Sequence, residues 1–221
     1  MRRTAIVAAL LLSSCATTQA PPAEAAAPAE VPAAEPSAPP PAALNPISVE
    51  FANAEVTRAG AKLTETKYSE RADDVAINAK IFSEGVVTIL GNVGLGKGSS
   101  YGGIGLNFSI ATDGKPLDAR GYRAVTFRLA SPTPRKLRLR ISGADRAKRD
   151  TGCYPVYTQA VGPEMKSYTI PLARFEAESW CGSKAEPVLA TLANLWGFEV
   201  ADISISRDPT AFSIGTITLE P

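Results

Sequence analysis

The chain has 221 residues, with 23 Lys and Arg against 22 Asp and Glu, and it contains no histidine. A formal net charge of +1 argues against a nucleic-acid partner, which usually shows as a basic patch or stripe. Without histidine, Ser–His and Cys–His catalysis and imidazole-bound zinc are excluded.

Residues 1–14 open with Arg2 and Arg3, continue through an apolar run from Ala5 to Leu12, and end in small residues. That is the three-part build of a secretory signal, too short to span a bilayer as a mature helix. The ending Leu12-Ser13-Ser14-Cys15 resembles the lipobox of bacterial lipoproteins. The resemblance implies cleavage before Cys15 and lipid on its thiol and amine. Ala16 next to it resembles the sorting signal for the outer membrane of Gram-negative envelopes. A plain signal peptide cut nearby is the alternative, and both readings put the mature chain outside the cytoplasm. The lipid anchor is the only membrane contact expected.

Residues 15–46 carry that cysteine and then a linker. From Ala16 to Pro46 there are nine prolines, three glutamates and no Lys or Arg. Such a segment has too little large apolar surface to fold, and proline stiffens it toward polyproline II. At ~3.1 Å per residue it reaches at most ~95 Å, so it reads as a disordered Pro/Ala-rich spacer.

From about Ile47 to Pro221 the pattern becomes short alternating runs between turn residues. Strands are expected at Ser48–Val56, Lys62–Tyr68, Val75–Ile81, Val86–Leu90 and Ile104–Ile110. The stretch Tyr122–Gly143 reads as two more with a proline-rich turn between them. Its apolar positions are Val125, Phe127 and Leu129, then Leu137, Leu139 and Ile141. Further strands are expected at Pro155–Val161, Ser167–Pro171, Leu195–Ser204 and Phe212–Leu219, with one helical turn at Val188–Leu192. Many short strands and few helical patterns predict an all-β antiparallel β-sandwich. Cys153 and Cys181, in an exported domain, are expected to form a disulfide worth roughly 3–4 kcal/mol in the chain-entropy model.

Gly91–Gly98 nearly matches the phosphate loop GxxxxGK[ST], but its eighth position is Gly98 and a strand follows instead of a helix. A hairpin loop is the reading. Paired carboxylates can run glycoside hydrolysis without histidine. The candidates are Glu178, Glu186, Glu199 and Asp202, but Glu199 and Asp202 lie three apart on a strand and face opposite ways.

The order of features resembles the galactose-binding-like jelly-roll domains, especially carbohydrate-binding modules near family 11. The residues carrying the resemblance are YGGIGLNF at Tyr101–Phe108, DARGYRAVTFRLAS at Asp118–Ser131, then KLRLRISG. After them come KSYTIPLARFEAESWCG, LWGFEV and SIGTITLE. The resemblance spans roughly residues 47–221 and implies a glycan held on the concave sheet face. It also implies a structural calcium held by acidic residues of the first and last strands. Glu50 is available, but the last strand reads Ile214-Gly215-Thr216 where an aspartate is common, so no metal or other cofactor is expected.

If Val125, Phe127, Leu137, Leu139, Trp196, Phe198 and Val200 point inward, then Thr126, Arg128, Arg138, Arg140 and Glu199 point outward. Tyr157 and Gln159 are placed on that same outward face. Arginine forks, an amide and a tyrosine ring suit sugar hydroxyls or acidic groups. The competing reading is a solvated face laced by pairs such as Arg140–Glu199, each worth ~0–1 kcal/mol. Trp180 is expected to pack on the disulfide, and Trp196 in the core. The function expected is that of a non-catalytic lipoprotein of the envelope that binds a poly- or oligosaccharide. The alternatives are an envelope assembly protein whose domain docks another protein, and a glycoside hydrolase using carboxylates. A glycan binder should show an exposed aromatic beside the arginines in an open groove; an assembly factor should show an apolar patch of several hundred Å².

Overall fold

The computed structural model describes residues 44–51, 63–94, 99–204 and 206–221. The signal segment, Cys15 and the linker up to residue 43 lie outside the described residues, as do the end of the first expected strand and the tip of the Gly91–Gly98 loop.

Period-two alternation produces strands here, because each apolar set can be buried only against a facing apolar set. Six strands form one sheet: β1 (Ile47–Val49), β3 (Val75–Ser83), β4 (Val86–Val93), β6 (Ala124–Ala130), β9 (Lys166–Pro171) and β11 (Ser206–Glu220). Their order is β3-β4-β11-β6-β9, with β1 also paired to β11. The second sheet has the order β2-β5-β10-β7-β8, built from β2 (Leu63–Ser69), β5 (Gly102–Ser109), β7 (Arg135–Gly143), β8 (Val156–Val161) and β10 (Leu195–Asp202). All pairings are antiparallel, and the chain changes sheets repeatedly, giving a jelly-roll sandwich. One hydrophobic core fills the space between the sheets. Phe127 of one sheet meets Phe198 of the other edge-to-face at 5.8 Å.

The stretch Tyr122–Gly143 is not a hairpin within one sheet. β6 bonds to β11 and β9, whereas β7 bonds to β10 and β8. The connection Ser131-Pro132-Thr133-Pro134 crosses between sheets instead of turning back. It is pinned by the buried Ser131, whose Oγ donates to the carbonyls of Thr133 and Ala211, both at 2.7 Å. Two arginine-bearing strands adjacent in sequence therefore present their arginines on opposite outsides of the sandwich.

Two short helices complete the fold. α2 (Val188–Ala193) falls where a helical turn was expected. α1 (Arg146–Thr151) was not read from the sequence, although its caps are plain. The Asp145 carboxylate accepts from the Ala147 and Lys148 amides at 2.9 and 3.4 Å, and Gly152 ends the helix at φ 74°. Cys153 and Cys181 form a disulfide with Cα atoms 5.5 Å apart.

Candidate functional site

A cluster of buried charge lies on the outer face of the five-stranded sheet, apart from the Arg135–Asp202 pair, 2.9 Å apart, which is buried on the other face. Residues directly opposite in an antiparallel pair point to the same side. Asn107 of β5, Glu199 of β10 and Arg140 of β7 therefore form one outward row, and Gly105, Ala201 and Arg138 the next. Gly103, opposite Tyr68 of β2, and Gly197, opposite Ser109 and Ser142, continue the pattern at either end. β5 and β10 thus carry glycine or alanine at Gly103, Gly105, Gly197 and Ala201, which hollows the middle of the sheet. A Cβ at Gly105 would collide with the Val200 carbonyl and Ala201, and one at Gly103 would collide with the Tyr68 ring. The YGGIGLNF stretch reads structurally as the floor of a trough.

Across that floor Tyr68 and Arg138 meet from opposite sides, with the guanidinium 4.7 Å from the ring centroid. Arg138 Nη2 donates to Glu199 Oε1 at 2.8 Å, and Arg140 Nη1 donates to Glu199 Oε2 at 2.9 Å. Arg138 Nη1 lies 3.5 Å from Glu178 Oε2. Arg138, Arg140 and Glu199 are buried, with Glu199 only 2% exposed. Such charges survive burial only when paired, and here one carboxylate serves two arginines. Burial opposes the charge on Arg138, but Glu199, Tyr68 and Glu178 outweigh it and raise its pKa. In Arg140 burial wins, with the Arg138 charge adding to it, and the pKa falls. Burial likewise pushes the Tyr68 phenol well above its ordinary value. Four polar atoms of this cluster, Tyr68 Oη, Arg138 Nε, Arg140 Nε and Glu178 Oε2, are buried without a hydrogen bond among the described residues.

Walls rise from the connections between strands. On one side are Ser100 and Tyr101; on the other are Asp150–Gly152 at the end of α1, and Glu178 and Trp180. Together with the floor they bound an open cavity of about 960 Å³. Tyr101 is 54% exposed and Trp180 63% exposed, so two aromatic rings stand free at its rim. The wall holding Trp180 is fixed by the disulfide, by reciprocal backbone bonds between Val156 and Glu176 at 2.8 and 3.0 Å, and by the Lys148–Glu186 ion pair. A second cavity of about 640 Å³ continues along the same face, sharing Asn107 and Arg149 and reaching Ser109, Ser142 and Trp196.

Of the residues singled out in the sequence, the structure brings Arg138, Arg140 and Glu199 together and separates the others. Arg128 is exposed on the outer face of the six-stranded sheet, because β6 belongs there. Tyr157 and Gln159 pair with Leu139 and Leu137, so they take the core-side face of β8, the opposite of the face expected. Tyr157 packs 5.9 Å from Phe175 and beneath Arg174, while the Gln159 amide donates to the Ala160 carbonyl at 2.7 Å. A one-residue error in register reverses every side chain of a strand. Trp180 does not pack onto the disulfide but stands in solvent. Trp196, expected in the core, is half-buried beside a bulge in β10, with Arg149 4.9 Å over its ring. Tyr68, Tyr101, Asn107 and Arg149 were not found by sequence reasoning. Their signal was alternation continued onto β2 and β5, and a capped helix after β7. Among the described residues no group of three or more His, Cys, Asp or Glu could hold a metal ion.

No family model and no curated protein matches the chain. Solved structures do. CtCBM11, known from a solution structure, is 14% identical, covers 81% of this chain and 97% of its own, and superposes with a TM-score of 0.50. The family 11 carbohydrate-binding module of the cellulosomal cellulase Lic26A-Cel5E of Clostridium thermocellum is 15% identical over 81% of this chain and 89% of its own, at a TM-score of 0.43. The Clostridium thermocellum family 11 module in complex with a β-1,3-1,4-mixed-linked tetrasaccharide is 14% identical over 81% of this chain and 91% of its own, at 0.44. The likeness to CtCBM11 shows the fold alone: the described strands form a jelly-roll sandwich like that of this module.

Proposed function

We propose that this domain binds a glycan, without chemistry, in the trough on the outer face of its five-stranded sheet. One observation carries the reading: two exposed aromatic rings, Tyr101 and Trp180, flank an open cavity whose floor holds paired arginines with unused polar atoms. Rings stack on pyranose faces, and fixed forks and carboxylates order the hydroxyls between them. Fold assigns no ligand by itself, so the reading rests on these side chains. Among the described residues, the exposed large apolar side chains away from the trough, Leu44, Ile81 and Leu189, sit on different elements, which gives no support to a protein-docking patch there. Hydrolysis is disfavoured because both Glu199 oxygens are held by arginines and Glu178 faces Arg138. In this proposal Cys15 carries lipid at the outer membrane, and the linker holds the binding domain off the lipid surface.

The test is an array of neutral, acidic and peptidoglycan-derived glycans probed with the full chain, disulfide intact. Specific binding that falls at least about tenfold in Trp180→Ala, with folding unchanged, is the expected result. Silence across the array, with the disulfide verified, would overturn it. Metabolic labelling of the expressing cell with a fatty-acid probe tests the anchor: label lost in Cys15→Ser is expected.

A further inference from the structure

The trough is longer than the cavity beneath Trp180. Outward positions on β5 run Gly103, Gly105, Asn107 and Ser109, a span of roughly 20 Å at ~3.3 Å per residue. The two cavities share Asn107 and Arg149, so they form one continuous depression along the strands. Their electrostatics differ. In the first, Glu199 and Glu178 answer Arg138 and Arg140. At the junction with the second stands Arg149, which makes no ion pair with any described residue.

Arg149 is held firmly all the same. Its Nη1 donates to the Gly143 and Ala144 carbonyls at 2.8 and 2.7 Å, and its guanidinium carbon sits over the Trp196 ring, 4.9 Å from the centroid. Carbonyls and a ring fix the fork without cancelling its charge. Asp113 also lines the second cavity, from an exposed turn at its outer edge. A planar cation, pre-oriented and lacking a carboxylate partner, is built to receive one from outside. We propose that the trough takes a chain long enough to span both cavities, and that Arg149 receives a carboxylate or sulfate carried by a sugar of that chain. This rests on the glycan reading above and adds the chemical class of the ligand.

The experiment is calorimetric titration of the full chain with matched sets, each from disaccharide to hexasaccharide. The sets are oligogalacturonides and their methyl esters, and sulfated galactan oligosaccharides and their desulfated counterparts. One charged hexasaccharide is expected to bind about tenfold or more tighter than its neutral twin and than its own disaccharide. That ratio should shrink with salt, fall to near unity in Arg149→Gln, and partly survive in Arg149→Lys. Which set responds separates carboxylate from sulfate. Neutral members binding as tightly as charged ones would overturn the proposal and leave the glycan reading standing. A ratio that persists in a folded Arg149→Gln would overturn it too, and the wild-type comparison decides if that variant does not fold. No binding by any set would overturn the proposal, and the glycan array alone decides the reading it rests on.

Discussion

The two outer faces of the sandwich obey the same alternation and have become opposites. On the six-stranded sheet Ser48, Thr218, Thr126 and Thr169 stand in one row across β1, β11, β6 and β9. Ser48 bonds Thr218 at 3.0 Å, Thr126 bonds Thr169 at 2.9 Å, and Thr126 Oγ1 donates to Glu220 at 3.2 Å. These hydroxyls satisfy one another along the strand-to-strand direction. On the five-stranded sheet the corresponding row is Asn107, Glu199 and Arg140, covered by α1 and the Glu178–Trp180 segment. Polarity does not distinguish the faces; burial of the outward residues does. A sheet face becomes a site when connections between its strands rise to wall it.

The largest effect that sharpens this contrast is expected at Glu199. Glu199→Ala leaves Arg140 buried and unpaired and Arg138 with only its longer contact to Glu178, which costs about 3–5 kcal/mol by urea unfolding. Loss below about 1 kcal/mol would mean the face is wetter than its burial indicates. Next comes the pH response of Tyr68. Its folded pKa lies above the unfolded phenol value near 10, so its contribution to stability is complete below that value and is lost as pH rises past it. Tyr68→Phe should therefore lose less stability than the wild type between neutral pH and pH ~11. Equal losses in the two proteins would show that Tyr68 is solvated. Smallest should be the hydroxyl row, where Thr126→Val, a β-branched swap on an open face, is expected to change stability by about 0.5–1 kcal/mol at most. Arg128→Ala, on that same face, should leave glycan binding unchanged within about twofold, whereas Arg138→Ala should weaken it. If Arg128→Ala weakens binding as much, the functional contrast between the faces fails.

The strands were legible because each is a local statement: alternation between turn residues places β4, β8, β9 and α2 within a few positions of where they lie. Sheet membership was not local. Nothing between Ala130 and Arg135 says whether the chain turns back or crosses the core, and that decides whether Arg128 joins Arg138. Nor did alternation give phase on β8, an edge strand whose two faces are both half-polar, so Tyr157 and Gln159 fell on the wrong side. Arg138, Arg140 and Glu199 came together as read because all three alternate with strongly apolar neighbours on strands adjacent in one sheet. Trp180 was misjudged because its exposure depends on the wall, a short 3-10 helix at Ser179–Lys184 whose Cys181 is cross-linked to Cys153.

That cross-link sets the two boundaries of the trough apart. The core strands bury their apolar faces through sheet contacts alone, but the Glu178–Trp180 wall hangs from Cys153 and a handful of polar bonds. The floor of the trough is set by strand pairing, whereas one of its walls depends in part on a covalent bond that a reductant would cut.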